Sequence, residues 1–133
     1  MKIYSGGKAL NIMGPGGGCS GGEIYSTEEV CIGKWMDSDH YRVVLIGTLI
    51  QLNGQVVGTL RGVGEITLLH GALTYTSGDS VPLDFAQGMN YTTISTEKSG
   101  DDLIVYLTSN VSSQLGGQFR IVVEYTKAQE EIL

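Results

Sequence analysis

The chain has 133 residues, 20 glycines and a formal net charge of −6, and only 17% of its residues are charged. This length suffices for one domain with a sizeable core, and so much glycine is typical of β proteins with many tight turns rather than of helical bundles. The negative charge and the scattered cations argue against nucleic-acid binding and against attraction to anionic membranes. Apolar runs all fall short of the ~20 residues that a membrane helix needs, so we expect no membrane insertion.

Residues 1–22 contain eight glycines and few side chains that can form a core. We interpret them as a glycine-rich N-terminal arm that neighbouring subunits or partner chains hold, with a flexible linker as the alternative. The start of the chain does not resemble a signal peptide. Two cysteines, Cys19 and Cys31, do not make a disulfide framework, and we expect two free thiols formed in a reducing compartment.

The first β pattern follows the arm. Alternation over residues 23–36 predicts a strand, with Trp35 as the first large core anchor. A polar turn is expected at residues 37–40, followed by a strand over residues 41–52 that is covered on both faces. Asn53-Gly54 then predicts a hairpin into residues 55–60, with a longer loop as the alternative.

The second half repeats short apolar runs separated by turns. Residues 65–76 predict a strand broken or bulged at Gly71, and residues 81–85 contain Pro82 and predict an edge strand. The remaining strands are expected over residues 90–97, 103–108 and 119–125, where the run 103–108 has the composition of a central strand and Phe119, Ile121, Val123 and Tyr125 share one face. These elements predict an all-β domain, an antiparallel β-sandwich with jelly-roll-like connections, over residues 23–127, followed by a tail at residues 128–133.

Residue types capable of chemistry are present, but none forms a recognisable catalytic motif. Ser20 and Cys31 lack a nucleophile motif, and His40 and His70 are too far apart in the chain to suggest a metal site. We interpret His40 as a turn residue and His70 as a polar group satisfied within the sheet. The acidic pairs are expected to be solvated: Glu28-Glu29, Asp37/Asp39, Asp101-Asp102 and Glu130-Glu131. We therefore expect no catalytic, cofactor-binding or metal-binding residues.

Tyrosines are the most informative polar aromatics in the predicted strands. A tyrosine combines a flat apolar face with a hydroxyl group, which suits sugar-binding and protein-binding surfaces. Tyr75, Tyr91 and Tyr106 are therefore candidate surface-binding residues. The alternative is that they are ordinary core and rim residues of a sheet.

Two stretches carry a resemblance to a known family. The opening stretch contains Tyr25-Ser26-Thr27-Glu28-Glu29, Gly33-Lys34-Trp35-Met36-Asp37 and Tyr41-Arg42, and the closing stretch reads Val123-Glu124-Tyr125-Thr126-Lys127. Together they resemble the C-terminal β-sandwich of many bacteriophage and prophage tail and fibre proteins, over about residues 24–127. The chain departs from that family at the first turn, where members often have Trp-Ile-Asp-Gly-Lys and this sequence has Trp35-Met36-Asp37-Ser38-Asp39.

The resemblance implies a virion structural protein without catalytic residues, made in the cytoplasm of a bacterial host. Its expected place is a tail tip, fibre or head fibre, as a homotrimer attached to other virion proteins through residues 1–22. A host-surface glycan or protein is the expected receptor. The alternatives are a stand-alone carbohydrate-binding module and a small glycosidase or lyase, which would need two distant carboxylates facing each other across a cleft.

Overall fold

The computed structural model describes residues 24–128, and this part of the chain is built almost entirely of antiparallel strands. A single 3₁₀ turn, Ser112–Gln114, interrupts the strand pattern there. The nine strands of the described part are β1 Val30–Trp35, β2 Ser38–Thr48, β3 Gln55–Leu60, β4 Val63–Thr74, β5 Ser80–Leu83, β6 Phe85–Gln87, β7 Asn90–Ser99, β8 Asp102–Ser109 and β9 Gln118–Lys127.

The strands form two sheets, one of five strands in the order β1-β2-β9-β4-β5 and one of four in the order β3-β8-β7-β6. The predicted all-β antiparallel sandwich is therefore confirmed. The last strand, β9, lies between β2 and β4, so the centre of the five-stranded sheet is formed by strands that are distant in the sequence. The consecutive strands β7 and β8 form a direct hairpin. Jelly-roll connectivity stays a prediction.

The core lies between the sheets and follows the period-two alternation of the central strands. Phe119, Ile121, Val123 and Tyr125 of β9 are all buried, as the sequence predicts, and Leu103, Val105 and Leu107 of β8 face them from the other sheet. The run 103–108 is confirmed as a central strand, because β8 pairs with β3 on one side and β7 on the other.

Two predicted turns differ from the structure. Residues 37–40 are not the turn: Trp35 pairs with Ser38, so only Met36 and Asp37 connect β1 to β2. Both of these residues have positive φ, 47° and 69°, as a tight type I′ hairpin requires. Asn53-Gly54 also adopts positive φ, but the predicted hairpin is wrong and the longer loop is correct, because β2 and β3 belong to different sheets.

Gly71 does not break β4, which continues through it in register with β9. The irregularities of this strand lie nearer its start, between Val63 and Leu68. Glycine is required at position 71 because a Cβ there would collide with the carbonyl oxygen of Arg120 on β9. The expected edge strand is confirmed, since β5, with Pro82, pairs with β4 alone.

The predicted glycine-rich arm, residues 1–22, lies outside the described residues, and so do residues 129–133 of the predicted tail. Ala128 is the last described residue, and its backbone N–H donates to the carbonyl oxygen of Gly62, 2.7 Å away. This end of the sandwich therefore brings together the end of β9, the β3–β4 connection and the β1–β2 turn.

Candidate functional site

Residues 24–29, which we name the lead-in segment, lie against β2. The backbone N–H of Val44 donates to the carbonyl oxygen of Ser26 at 2.9 Å. The guanidinium of Arg42 reaches back along the same segment and donates to the carbonyl oxygen of Ile24 at 3.2 Å. The opening stretch of the resemblance is thus held onto the sheet by both backbone and side-chain hydrogen bonds.

Arg42 joins the lead-in segment to β9. Its Nη2 lies 2.7 Å from Oε2 of Glu124, and its Nε donates to the same oxygen at 2.8 Å. The ring of Tyr25 lies over the guanidinium, with 4.1 Å between the guanidinium carbon and the ring centroid, in a cation–π contact. Only 8% of the Arg42 side chain and 13% of the Glu124 side chain are exposed, so this is a desolvated ion pair.

Glu29 makes a second connection to β9. Its Oε2 accepts a hydrogen bond from the hydroxyl of Tyr125 and lies 2.8 Å from Nζ of Lys127. The ammonium of Lys127 is 5.0 Å from the centroid of the Tyr41 ring, which in turn stacks on Tyr125. Burial raises the pKa of Tyr125, and its hydrogen bond to the Glu29 carboxylate raises it further.

These contacts bring the opening and closing stretches of the resemblance together at one end of the sandwich. We call this group the motif cluster; it consists of Tyr25, Glu29, Tyr41, Arg42, Glu124, Tyr125 and Lys127. All seven residues lie within the motifs of the opening and closing stretches, but the sequence predicted no contact between them. The sequence offered one signal, the opposite charges of Arg42 in the opening motif and Glu124 in the closing motif. The β2–β9 register places these two residues opposite each other.

An open cleft of about 200 Å³ lies beside the motif cluster. It is lined by Asp37, Ser38, Asp39, Tyr41, Lys127 and Ala128. Tyr41 and Lys127 have the same alternation parity as core residues of their strands, so the cleft opens on the core side of the β1–β2 hairpin. Nζ of Lys34 donates to Oδ1 of Asp39 at 2.7 Å at its edge, and this bond, with the charge of Asp39, raises the pKa of Lys34.

The structure separates the three candidate tyrosines. Tyr91 of β7 is 38% exposed, and Tyr106 of β8 alternates with buried Val105 and Leu107, so both lie on the outer face of the four-stranded sheet. Tyr106 donates its hydroxyl hydrogen to Glu97 at 2.9 Å, which raises the pKa of Tyr106. Tyr75 is elsewhere, at the end of the sandwich opposite the cleft.

Tyr75 belongs to a buried polar network at that opposite end. Nε2 of Gln114 donates to the Tyr75 hydroxyl at 3.0 Å, while Oε1 of Gln114 accepts from Thr92 at 2.6 Å and from Ser109 at 2.7 Å. Gln114, Thr92 and Ser109 are fully buried, and the network connects the 3₁₀ turn to β7, to β8 and, through Tyr75, to the end of β4. Sequence reasoning missed Gln114, because nothing in its local pattern indicates burial.

Trp35 is not a core anchor, and that prediction is wrong. It flanks the β1–β2 turn, beyond the core, and is 41% exposed, with its ring 5.6 Å from that of His40. His40 is not a turn residue either: it lies buried in β2, with Nε2 2.6 Å from the hydroxyl oxygen of Thr67. His70, expected to be a satisfied polar group within the sheet, is exposed on β4.

The expectation of two free thiols is also wrong, because Cys31 is disulfide-bonded. The only other cysteine in the sequence, Cys19, lies outside the described residues. A disulfide forms where folding brings two Cα atoms to within about 7 Å, which spacing along the sequence does not reveal. The argument for a reducing compartment therefore loses its support.

Within residues 24–128 no group of three or more His, Cys, Asp or Glu side chains is placed to hold a metal ion. The same part of the chain contains no helix with the length and apolar character to cross a bilayer. Comparisons with known proteins find no matching family model, no matching curated protein and no matching solved structure.

Proposed function

We propose that this protein is a virion structural protein, a bacteriophage tail-tip, fibre or head-fibre module that assembles as a homotrimer and contacts the host surface. The observation that carries the proposal is the motif cluster. The two stretches that resemble phage fibre proteins are 80 or more residues apart, yet Glu29 contacts Tyr125 and Lys127, and Arg42 contacts Glu124. Two motifs that contact each other in the fold are expected to occur together in proteins that share this domain.

A homotrimer needs a surface on each subunit that copies can cover, and the outer face of the five-stranded sheet suits this. The β2–β9–β4 register places apolar residues from three strands on that face, interspersed with polar ones: Val44 and Val122 share a row with His70, Ile46 and Ala72 lie on either side of Arg120, and Leu68 is beside Glu124. Ile46 is 52% exposed and Leu68 39% exposed. Val44 is buried, so Ile46 and Leu68 supply most of the exposed apolar surface of this face, and exposed apolar groups rimmed by polar residues are typical of interfaces.

The mass of the protein in solution tests the assembly. Light scattering at micromolar concentration is expected to give three times the 14.2 kDa chain mass. Ile46→Lys should yield monomers, whereas Val56→Lys, at a residue that is 55% exposed on the other sheet, should leave the trimer intact. A wild-type monomer would refute the assembly, and dissociation by Val56→Lys alone would refute the choice of face.

The virion assignment has its own test. Particles purified by density gradient from the producing host should yield peptides of this chain in stoichiometric amounts on mass spectrometry. A chain that stays entirely in the soluble fraction of the lysate, while particles assemble without it, would refute the assignment.

A stand-alone carbohydrate-binding module is the second candidate. The observation in its favour is that Tyr91 and Tyr106 share the outer face of the four-stranded sheet. Ser95, the β-ladder partner of Tyr106, lies four residues from Tyr91 on β7, so the two rings are separated by about 13 Å along the sheet. This candidate predicts glycan binding by a monomer, and glycan binding that Tyr91→Ala abolishes would favour it.

A further inference from the structure

The cleft beside the motif cluster is both concave and polar. Its walls hold two carboxylates, from Asp37 and Asp39, together with the hydroxyl groups of Ser38 and Tyr41 and the ammonium of Lys127. Its volume of about 200 Å³ is enough to hold a single sugar ring.

The charges around the cleft are not balanced. Among the residues that line the cleft, the cation Lys127 is paired with Glu29 and the carboxylate of Asp39 is paired with Lys34. Among the ion pairs formed by residues 24–128, none engages Asp37. The cleft therefore offers one carboxylate in excess, and an anionic ligand would have to approach it against this charge.

We infer that this cleft binds a saccharide unit that bears vicinal hydroxyl groups and no negative charge. A carboxylate accepts hydrogen bonds from two neighbouring hydroxyls at once, and hydrogen bonds to an ionised acceptor are roughly twice as strong as neutral ones. Asp37 supplies such an acceptor, while Ser38 and Tyr41 supply groups that both donate and accept. The inference deepens the proposed contact with the host surface and rests on it.

The turn geometry limits which substitutions can test the contribution of Asp37. Met36 and Asp37 both adopt positive φ, which costs a non-glycine residue conformational energy. Asparagine or glycine at position 37 would tolerate this conformation better than most residues.

Binding is tested on the full chain by two-dimensional ¹H–¹⁵N NMR titration. The probes are methyl α-glucoside, methyl α-galactoside and N-acetylglucosamine as uncharged sugars, with N-acetylneuraminic acid and inorganic phosphate as anions. At least one uncharged sugar is expected to bind with a Kd in the millimolar range, with shifts confined to residues 37–41 and 127–128, and the anions are expected to shift nothing there.

Two variants keep the turn conformation and change the ligand contact. Asp37→Asn should weaken sugar binding about tenfold by removing the charge, and Asp37→Gly should abolish it by removing the side chain. Asp79→Asn, in the exposed turn at the other end of the sandwich, is the matched control and should bind like the wild type.

Three outcomes would overturn the inference: none of the uncharged sugars binds, an anion binds at residues 37–41 in preference to them, or Tyr91→Ala abolishes binding while Asp37→Gly does not. These outcomes are independent of assembly, which is measured by light scattering on the same samples. A trimer that binds none of the sugars refutes the cleft and leaves the virion proposal standing, whereas a monomer that binds sugar in the cleft refutes only the trimer.

Discussion

Replacing Glu124 by glutamine tests whether the buried ion pair joins the lead-in segment to the sheet as the structure indicates. The substitution keeps the shape of the side chain and removes its charge, so Arg42 keeps its guanidinium in a nearly buried position with no carboxylate. Breaking a buried pair from one side costs about 3–5 kcal/mol. Because Arg42 retains the Tyr25 ring and the carbonyl oxygen of Ile24, we expect a loss near the lower limit, about 3 kcal/mol.

The chain contains a matched control. Lys34 and Asp39 form an ion pair with the same 2.7 Å separation, but their side chains are 51% and 48% exposed and one hydrogen bond joins them, so this pair lacks both the burial and the second hydrogen bond of the Arg42–Glu124 pair. Exposed pairs typically contribute about 0.2–1 kcal/mol. Asp39→Asn should therefore lower the free energy of unfolding far less than Glu124→Gln does.

Urea denaturation of two double-mutant cycles measures the difference. One cycle combines Glu124→Gln with Arg42→Met, and the other combines Asp39→Asn with Lys34→Met. We expect a coupling free energy of about 2 kcal/mol or more in the first cycle and a clearly smaller one in the second. Equal coupling in the two cycles would show that burial does not decide the strength of these pairs, and the reasoning would fail.

Three further predictions concern single residues. Gln114→Leu removes the acceptor of the buried Ser109 hydroxyl and leaves the Thr92 hydroxyl only its longer, 3.4 Å contact with Ser109. Urea denaturation should show a loss of about 2–4 kcal/mol; an unchanged midpoint would contradict the network. Gly71→Ala forces apart two paired strands, and thermal unfolding should detect a loss of about 1–3 kcal/mol, whereas a stabilised variant would rule out the close approach.

The third concerns pH. The pKa of Tyr125 is raised in the folded state, so its unfolded form loses a proton near its ordinary pKa of 10 while the folded form keeps it. Stability should therefore fall as the pH rises above 10, by up to about 1.4 kcal/mol per pH unit from this residue. Urea titrations at pH 9 and 11 should show a shallower fall for Tyr125→Phe, and an identical fall would contradict the assignment.

The parts of the fold that were predicted correctly depend on local patterns. The alternation of β9 identified its buried face, and Pro82 identified an edge strand, because each signal lies within a single strand. The parts that were wrong depend on neighbours in space. Trp35 is large and apolar, which predicts burial, yet the hairpin that contains it extends past the core.

The candidate site was only partly visible in the sequence. Tyr91 and Tyr106 were candidate surface residues, and both lie on the outer face of the four-stranded sheet. Tyr75 instead accepts a hydrogen bond from Gln114, whose burial no local sequence pattern indicates. The cleft was not predicted at all, since it is built from the β1–β2 turn and the end of β9, which meet only after folding.

The amino-acid sequence by itself determined the all-β fold class and most of the strands. Side chains alternate between the faces of a strand with a period of two residues, and turns require particular backbone angles, so both leave local patterns in the sequence. Only the tertiary structure decided which strands pair. In the tertiary structure, Asn53-Gly54 lies in the connection between the two sheets, Arg42 pairs with Glu124, and Asp37 lines a cleft. The physical reason is that pairing depends on the joint burial of residues far apart in the chain, and no local pattern contains that information.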